Sequence, residues 1–274
     1  MFRKKMILDE INNLFKKNKS LLAFNIQDIN HLYPLSDACI KLKKKAICQF
    51  SSRYLLYFDK FHDLKKIMNF FRKKNLYFFL DHCEDINIIK KCIKYNFDGV
   101  MFDGSKQKLQ TNIINTNKIK RLIKNRSTIL EAEIGPILGV EDGFKSVKKK
   151  LKKNDLIKFI NKANFDLLAI GAGNTHGLSS NNKIDINLYQ TAIEQKKKIK
   201  LVFHGGSGIN KKVLRKIQKK NIVKINISSS LKKEVNNIYY KYLQKNKLFD
   251  VTEFNNFSKK KLNTFFYNFI KIYS

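Results

Sequence analysis

The stretch LYFFLDHCEDINIIKKCIKYNFDGVMFDGS, residues 76–105, decides the reading of the fold. Its opening run, Leu76–His82, is apolar and short, as a strand buried on both faces must be, and it closes on Asp81-His82. From Asp85 to Tyr95 the pattern becomes helical, and Asp85 is well placed to cap the helix start. A second apolar run follows, Gly99–Ser105, ending Asp103-Gly104-Ser105. Strand, helix and strand in succession form the unit of a parallel sheet, whose strands need helical crossovers.

The same alternation extends to both sides. Strands are predicted at Leu21–Gln27, Lys45–Ser51, Leu76–His82, Gly99–Ser105, Thr128–Gly135, Asp166–Gly173, Lys200–Gly206 and Ile222–Ser228. Helical, lysine-rich patterns lie between them, including Leu151–Ala163, Ile184–Gln195 and Lys211–Lys219. Eight such units predict an α/β chain folded as a (β/α)8 TIM barrel, with an open doubly wound sheet as the alternative. The chemistry-bearing residues favour the barrel, because nearly all fall at C-terminal ends of predicted strands. An amphipathic N-terminal helix, with Met6, Ile7, Ile11 and Leu14 near helical spacing, precedes the barrel. Extra C-terminal helices follow it, near Ser229–Gln244 and Lys259–Ile270. No linker or shift in composition divides residues 1–274, which are expected to form one domain. Phe265, Phe266, Tyr267, Phe269 and Tyr273 in the tail are expected to pack on the barrel or on a second subunit.

The formal net charge is +34. Such a charge suggests phosphate neutralisation along a nucleic acid, but the composition argues otherwise. Arginine appears only at positions 3, 53, 72, 121, 126 and 215, and the lysines are spread along the chain. Abundant Asn, Ile, Phe and Tyr with no Trp points to a genome rich in A and T. No specific nucleic-acid partner is expected, although a basic surface draws in phosphorylated metabolites. Cys39, Cys48, Cys83 and Cys92 form no CxxC pair, which fits a reducing compartment. No apolar run reaches membrane-spanning length and the N-terminus lacks a signal-peptide core, so a soluble, cytoplasmic protein is expected.

All eleven glycines lie between Gly99 and Gly208. Three of the five histidines sit in blocks at strand ends, mostly rich in glycine: Asp81-His82, Asn174-Thr175-His176-Gly177 and His204-Gly205-Gly206-Ser207-Gly208. Three such imidazoles can bind one zinc ion and leave a position open for substrate. Asp81 is a candidate general base beside that metal. Glu131 and Glu133 face the same side of their strand, and burying both requires a metal or a cationic partner. The loop Gly139-Val140-Glu141-Asp142-Gly143 can carry Glu141 over a substrate as a lid-borne acid/base. The glycines around His204 can turn backbone N–H groups toward phosphate, Asn226 can hydrogen-bond a carbonyl or enediolate, and Ser228–Ser230 can meet phosphate oxygens. His31 and His62, outside every block, read as packing or surface residues.

These blocks resemble, in order and spacing, the class II zinc-dependent fructose-bisphosphate/tagatose-bisphosphate aldolase family. They are AFN (Ala23–Asn25), QFS (Gln49–Ser51), LDH (Leu80–His82), GVMFDGS (Gly99–Ser105), EAEIG…GVEDG (Glu131–Gly143), GNTHG (Gly173–Gly177), HGGSG (His204–Gly208) and KIN (Lys224–Asn226). The resemblance implies that His82, His176 and His204 bind catalytic Zn2+. It places Asp103 and Glu133 at a second or alternative site for a divalent or monovalent cation. It gives Asp81 the C4-hydroxyl proton and Glu141 the proton exchanged with the three-carbon enediolate. Gly177, Gly205, Gly206, Ser207, Asn226, Ile227, Ser228 and Ser229 would meet dihydroxyacetone phosphate, and Asn25 and Ser51 would also bind substrate.

The implied reaction is reversible cleavage of fructose 1,6-bisphosphate to dihydroxyacetone phosphate and glyceraldehyde 3-phosphate through a zinc-stabilised enediolate, a step of glycolysis and gluconeogenesis. Tagatose 1,6-bisphosphate is the alternative substrate. The aromatic tail suggests a homodimer or homotetramer. The chain departs from the family pattern at Cys83, Lys106, Leu138 and Ser228–Ser230. With no arginine after Arg215, any C-terminal clamp on a distal phosphate must use lysine. A rival reading from another class is a decayed, non-catalytic basic barrel that binds nucleic acid.

Overall fold

Parallel strands close into a barrel because each is apolar on both faces and is followed by an amphipathic helix that covers its outer side. The computed structural model describes residues 2–56, 61–137, 140–141, 144–145, 150–174, 184–246 and 248–273, without the side chains of 2–6, 140–141, 144–145, 211 and 214. The barrel strands are β1 (Leu21–Asn25), β2 (Ala46–Ser51), β3 (Leu76–Cys83), β4 (Gly99–Phe102), β5 (Ile129–Ile134), β6 (Leu167–Ile170), β7 (Leu201–Phe203) and β8 (Ile222–Ile227). Each pairs in parallel with its sequence neighbours, and β8 closes on β1 through Leu21↔Lys224 and Ala23↔Asn226. The open-sheet alternative is excluded.

All eight predicted strands exist, but several are shorter at the C-terminal end. β4 stops at Phe102 because Asp103 Oδ1 accepts from both the backbone N–H and the hydroxyl of Ser105, folding the chain into a turn. Asp85 caps the helix Ile86–Lys94 as predicted, accepting from Asn87 N at 2.7 Å. The last helix runs Val251–Tyr273, well beyond the predicted Lys259–Ile270. Asp250 begins it by accepting from Glu253 N at 2.8 Å, and its Phe266 is buried edge-on against Phe24 of β1 at 5.0 Å. The aromatic tail thus packs on the barrel.

Strand alternation divides the core in two. Leu22, Phe24, Cys48, Phe50, Phe78 and Leu80 belong to the large cluster between sheet and helices. Leu21, Ala23, Ile47, Tyr77, Phe79, Ile129, Leu167, Ala169 and Val202 form a second cluster inside the barrel. The N-terminal helix Phe2–Lys16 plugs that interior, with Ile7 and Ile11 fully buried in the same cluster. Farther along the same inward faces lie buried Asn25, Gln49, Asp81, Glu131, Glu133, His204, Lys224 and Asn226. All four cysteines are buried and free. His31 is a buried packing residue, and His62 is exposed. Among the described residues no helix is long and apolar enough to cross a membrane.

Candidate active site

Adjacent strand residues point to opposite faces, so Asp81 and His82 can share a site only if the strand is broken. It is broken there. The β3–β4 register runs Phe79↔Gly99 and Leu80↔Val100, then jumps to Cys83↔Phe102, a bulge that leaves an extra residue on β3. His82 sits at φ +25°, a strained value for a non-glycine residue that costs roughly 1–3 kcal/mol. Both side chains consequently turn into the barrel mouth. His82 Nε2 meets His204 Nδ1 at 2.9 Å, and Asp81 Oδ1 accepts from Asn226 Nδ2 at 3.3 Å.

Asp81 is held by three side-chain amides. Asn25 Nδ2 donates to Oδ2 at 2.7 Å, while Gln49 Nε2 and Asn226 Nδ2 donate to Oδ1. Three donors on two strands besides β8 fix the carboxylate's direction in a place that is only 1% exposed. A carboxylate so oriented can accept a proton from a hydroxyl delivered at the mouth.

The two described imidazoles are each gripped from behind. Asp103 Oδ2 lies 3.0 Å from His82 Nδ1, and Glu131 Oε1 lies 3.0 Å from His204 Nε2. A carboxylate on one ring nitrogen draws the N–H to that side and leaves the other nitrogen as a lone-pair donor. His82 Nε2 and His204 Nδ1 face each other at hydrogen-bond distance, and a cation bound there would take the place of the proton between them. Glu133 completes the trio: ligand atoms of His82, Glu133 and His204 all lie within 4.8 Å of one another. Glu133 Oε2 is buried and accepts no hydrogen bond from the described residues. Imidazole nitrogens plus an unsatisfied buried carboxylate suit a divalent metal such as zinc.

The electrostatics point the same way. Burial opposes a charge on His82, but the Asp81, Asp103 and Glu133 carboxylates raise its pKa well above the ordinary histidine value. Burial, and then the Asp103 charge, push Glu133 well above the usual carboxylate range. Asp103 is depressed despite its burial, through its hydrogen bonds from His82 and Ser105. Negative charge is thus in excess around the imidazoles.

The sequence reading named Asp103 and Glu133 together, and the structure brings both to His82 Nδ1. Asp103 hydrogen-bonds His82 Nδ1 and turns its own loop, whereas Glu133 Oε2 lies 3.6 Å from the same nitrogen and also within reach of His204. His176 and Gly177 lie outside the described residues. So does the side chain of Glu141, whose backbone pairs Val140–Glu141 antiparallel with Phe144–Lys145.

The block His204–Gly208 bends back onto the helix Ser229–Lys245. Gly205 adopts φ +77°, and a Cβ on Gly206 would lie 2.4 Å from Ile225 Cγ2, so neither position tolerates a larger residue. Ser207 Oγ accepts from the N–H groups of Ser228 and Ser230 at 3.1 Å, and Ser230 Oγ donates to Ser207 O at 2.7 Å. Ser207 and Ser230 therefore spend hydrogen-bonding capacity on joining loop to helix. Ser228 Oγ is buried without a hydrogen bond from the described residues, and Ser229 is half-buried at the helix start. Ile227 packs its side chain into the outer core, leaving only its backbone for a ligand. Asn25 and Ser51 line one cleft at the barrel mouth.

Three participants escaped the list of candidate residues, and Glu131, read as needing a metal or a cationic partner, has one in Lys224. Gln49 orients Asp81, and Asn174 Nδ2 donates to His204 O at 3.1 Å. Glu131 joins His204 to Lys224, whose Nζ is 2.8 Å from Glu131 Oε2 and 2.7 Å from Asn226 Oδ1 in a fully buried position. A signal existed for Gln49, a polar residue at an inward position of an otherwise apolar strand, whereas Lys224 is one lysine among many.

Residues 7–273 match the family model for fructose-bisphosphate aldolase class-II. A fructose-bisphosphate aldolase of Giardia intestinalis is 29% identical over 72% of this chain and 63% of its own length. A 6-phospho-5-dehydro-2-deoxy-D-gluconate aldolase of Halalkalibacterium halodurans is 32% identical over 55% of this chain and 52% of its own. The chain thus spans less than two thirds of either of these two relatives. The crystal structure of a fructose-bisphosphate aldolase from Campylobacter jejuni has the same fold, with TM-score 0.80 at 17% identity over 98% of this chain and 94% of that one. With a matching barrel and a family model that covers nearly every residue, the chain belongs to the class II fructose-bisphosphate aldolase family.

Proposed function

We propose that this chain reversibly cleaves fructose 1,6-bisphosphate to dihydroxyacetone phosphate and glyceraldehyde 3-phosphate. The observation that carries the reading is the convergence of Asp81 on the His82–His204 pair, with Asn226 touching both Asp81 and His204. His82 and His204, with His176, would hold zinc, and Glu133 and Asp103 would serve a second or alternative cation or steady the first. The zinc supplies a Lewis acid for the negative charge that builds on the ketose carbonyl oxygen as the C3–C4 bond breaks.

The remaining work falls to the chain's own groups. Asp81 takes the C4-hydroxyl proton, and its three amide donors keep it aimed at that oxygen. Asn226, braced by Lys224 through its Oδ1, presents its N–H groups to the developing enediolate. The backbone of Gly177, Gly205, Gly206 and Ser207, with Ile227–Ser229 at the helix start, seats the phosphate of the three-carbon product. Glu141 returns the proton to the enediolate carbon. The chain acts as a homodimer or homotetramer.

A coupled assay of purified protein tests this reading. Cleavage of fructose 1,6-bisphosphate is expected to vanish with chelator, return with zinc and be absent in His176→Ala. Faster cleavage of tagatose 1,6-bisphosphate would shift the substrate assignment. No cleavage of either sugar by folded, zinc-replete protein would overturn the aldolase reading and favour the non-catalytic barrel.

A further inference from the structure

We propose that the end of the barrel opposite the mouth binds the phosphate backbone of a nucleic-acid duplex, without sequence preference, through an arc of lysines. The proposal is independent of the aldolase reading above. In a parallel barrel the segments that lead into the strands all lie at that end. Those before β7, β8, β1, β2 and β3 are residues 196–200, 219–221, 17–20, 43–45 and 73–75. Together they hold thirteen lysines and no Asp or Glu. These five strands are consecutive around the closed barrel, so lysines scattered along the sequence become one continuous arc. Neighbouring segments touch one another or the strand starts beside them. Asn221 Nδ2 donates to Lys197 O at 3.0 Å, Ser20 Oγ to Ile222 O at 2.7 Å and Ala46 N to Asn75 O at 3.2 Å.

The rest of the ring differs. Before β4, β5 and β6, residues 95–98, 123–128 and 163–166 carry Lys124 and Arg126 against Asp98 and Asp166. Those two acids pair with Arg72 at 3.0 Å and Lys120 at 2.6 Å. Helix C-termini attract cations, but a helix ends before each of the eight strands, so the dipole does not account for a one-sided arc. Lys19, Lys43, Lys73, Lys197 and Lys219, one from each segment, are exposed, while Lys45 pairs with Glu10 at 2.7 Å. Asp9 and Glu194, exposed on the flanking helices, are too few to balance the arc. Burial, and then the Lys19 charge, lower the pKa of Lys44, so lysines of adjacent segments repel one another. A polyanion relieves that repulsion and releases its own counterions on binding. The shape selects the occupant. A curved stripe follows a chain of phosphates, whereas a bilayer would meet the whole end and gains from apolar groups that insert. Ile199, the one apolar residue of the five segments, is buried, and none of them carries an aromatic ring on which unpaired bases could stack. Lysines without such platforms read backbone charge and suit a duplex.

The test titrates the whole protein into fluorescently labelled DNA and RNA duplexes of unrelated sequence, following anisotropy between about 50 and 200 mM salt. About five phosphate contacts, one per segment, lower the affinity about 500-fold over that range. Lys197→Gln with Lys219→Gln should flatten the log–log salt slope by about two and weaken binding about 10–100-fold near 0.1 M salt. The charge-matched control on the other side of the ring, Lys124→Gln with Arg126→Gln, should bind as wild type does. Binding of both duplexes, or of one alone, supports the proposal and identifies the backbone that the arc takes. Equal losses in the two double variants, at wild-type melting temperature, would mean that net charge alone attracts the duplex and would overturn the arc. Absence of binding at the lowest salt would overturn it as well. Tighter binding to phosphatidylserine vesicles than to either duplex would overturn the choice of nucleic acid.

Discussion

At the bottom of the barrel the inward side chains are Leu21, Ile47, Tyr77, Phe79, Ile129, Leu167 and Val202, closed off by Ile7 and Ile11 of the N-terminal helix. Two residues farther along the same strands, the inward positions become Asn25 after Ala23, Gln49 after Ile47, Asp81 after Phe79, Glu131 after Ile129 and His204 after Val202. The lower half gains free energy by removing apolar surface from water. The upper half gives some of that back, since its buried charges need partners and His82 is strained. Stability and chemistry are thus separated along the strand axis, and substitutions in the two halves should have different signatures.

The largest expected effect lies at the mouth. Asp81→Asn removes the proposed base while keeping its shape, so kcat should fall about 10²–10⁴-fold with little change in melting temperature. A kcat within a few fold of wild type would remove Asp81 from the chemistry. Lys224→Met, also in the upper half, leaves the Glu131 carboxylate buried with one cation fewer. It should cost about 3–5 kcal/mol in chemical denaturation, and Glu131→Gln in the same protein should recover much of that loss. Equal destabilisation of the single and double variants would mean that Lys224 and Glu131 are not coupled.

Asp103→Asn weakens the hold on His82 Nδ1 without touching the nitrogen that faces His204. Metal affinity, measured by competition with a chromogenic chelator, should drop about 10–100-fold. The smallest effect belongs to the bottom: Ile11→Val should cost about 0.5–1.5 kcal/mol and leave kcat/KM unchanged. A matching loss of activity would show that the two halves are not independent.

The alternation of apolar strand and lysine-rich helix was legible from the sequence because burial on both faces leaves a run of Ile, Val, Leu and Phe with nothing to mistake it for. The Asp81-His82 pair was legible for the same reason, as polar residues that end such a run. Lys224 was not, because lysine is abundant in this chain and its burial depends on Glu131, 93 positions away in sequence. Nor was the convergence of Asp103 and Glu133 on one nitrogen of His82. Both are carboxylates at strand ends, and only the fold shows that one hydrogen-bonds the ring while the other lies 3.6 Å from the same nitrogen and also reaches toward His204.

By itself the sequence determined the eight strand–helix units, the barrel and the blocks that carry the chemistry, since hydrophobic period and local turn chemistry are properties of neighbouring residues. The tertiary structure decided which way each polar group faces. The bulge at His82, the Lys224–Glu131–His204 chain and the lysine arc at the end opposite the mouth all join residues distant in sequence. Electrostatic and hydrogen-bonding interactions act over a few ångströms of space, and only the closed barrel brings these groups within that range.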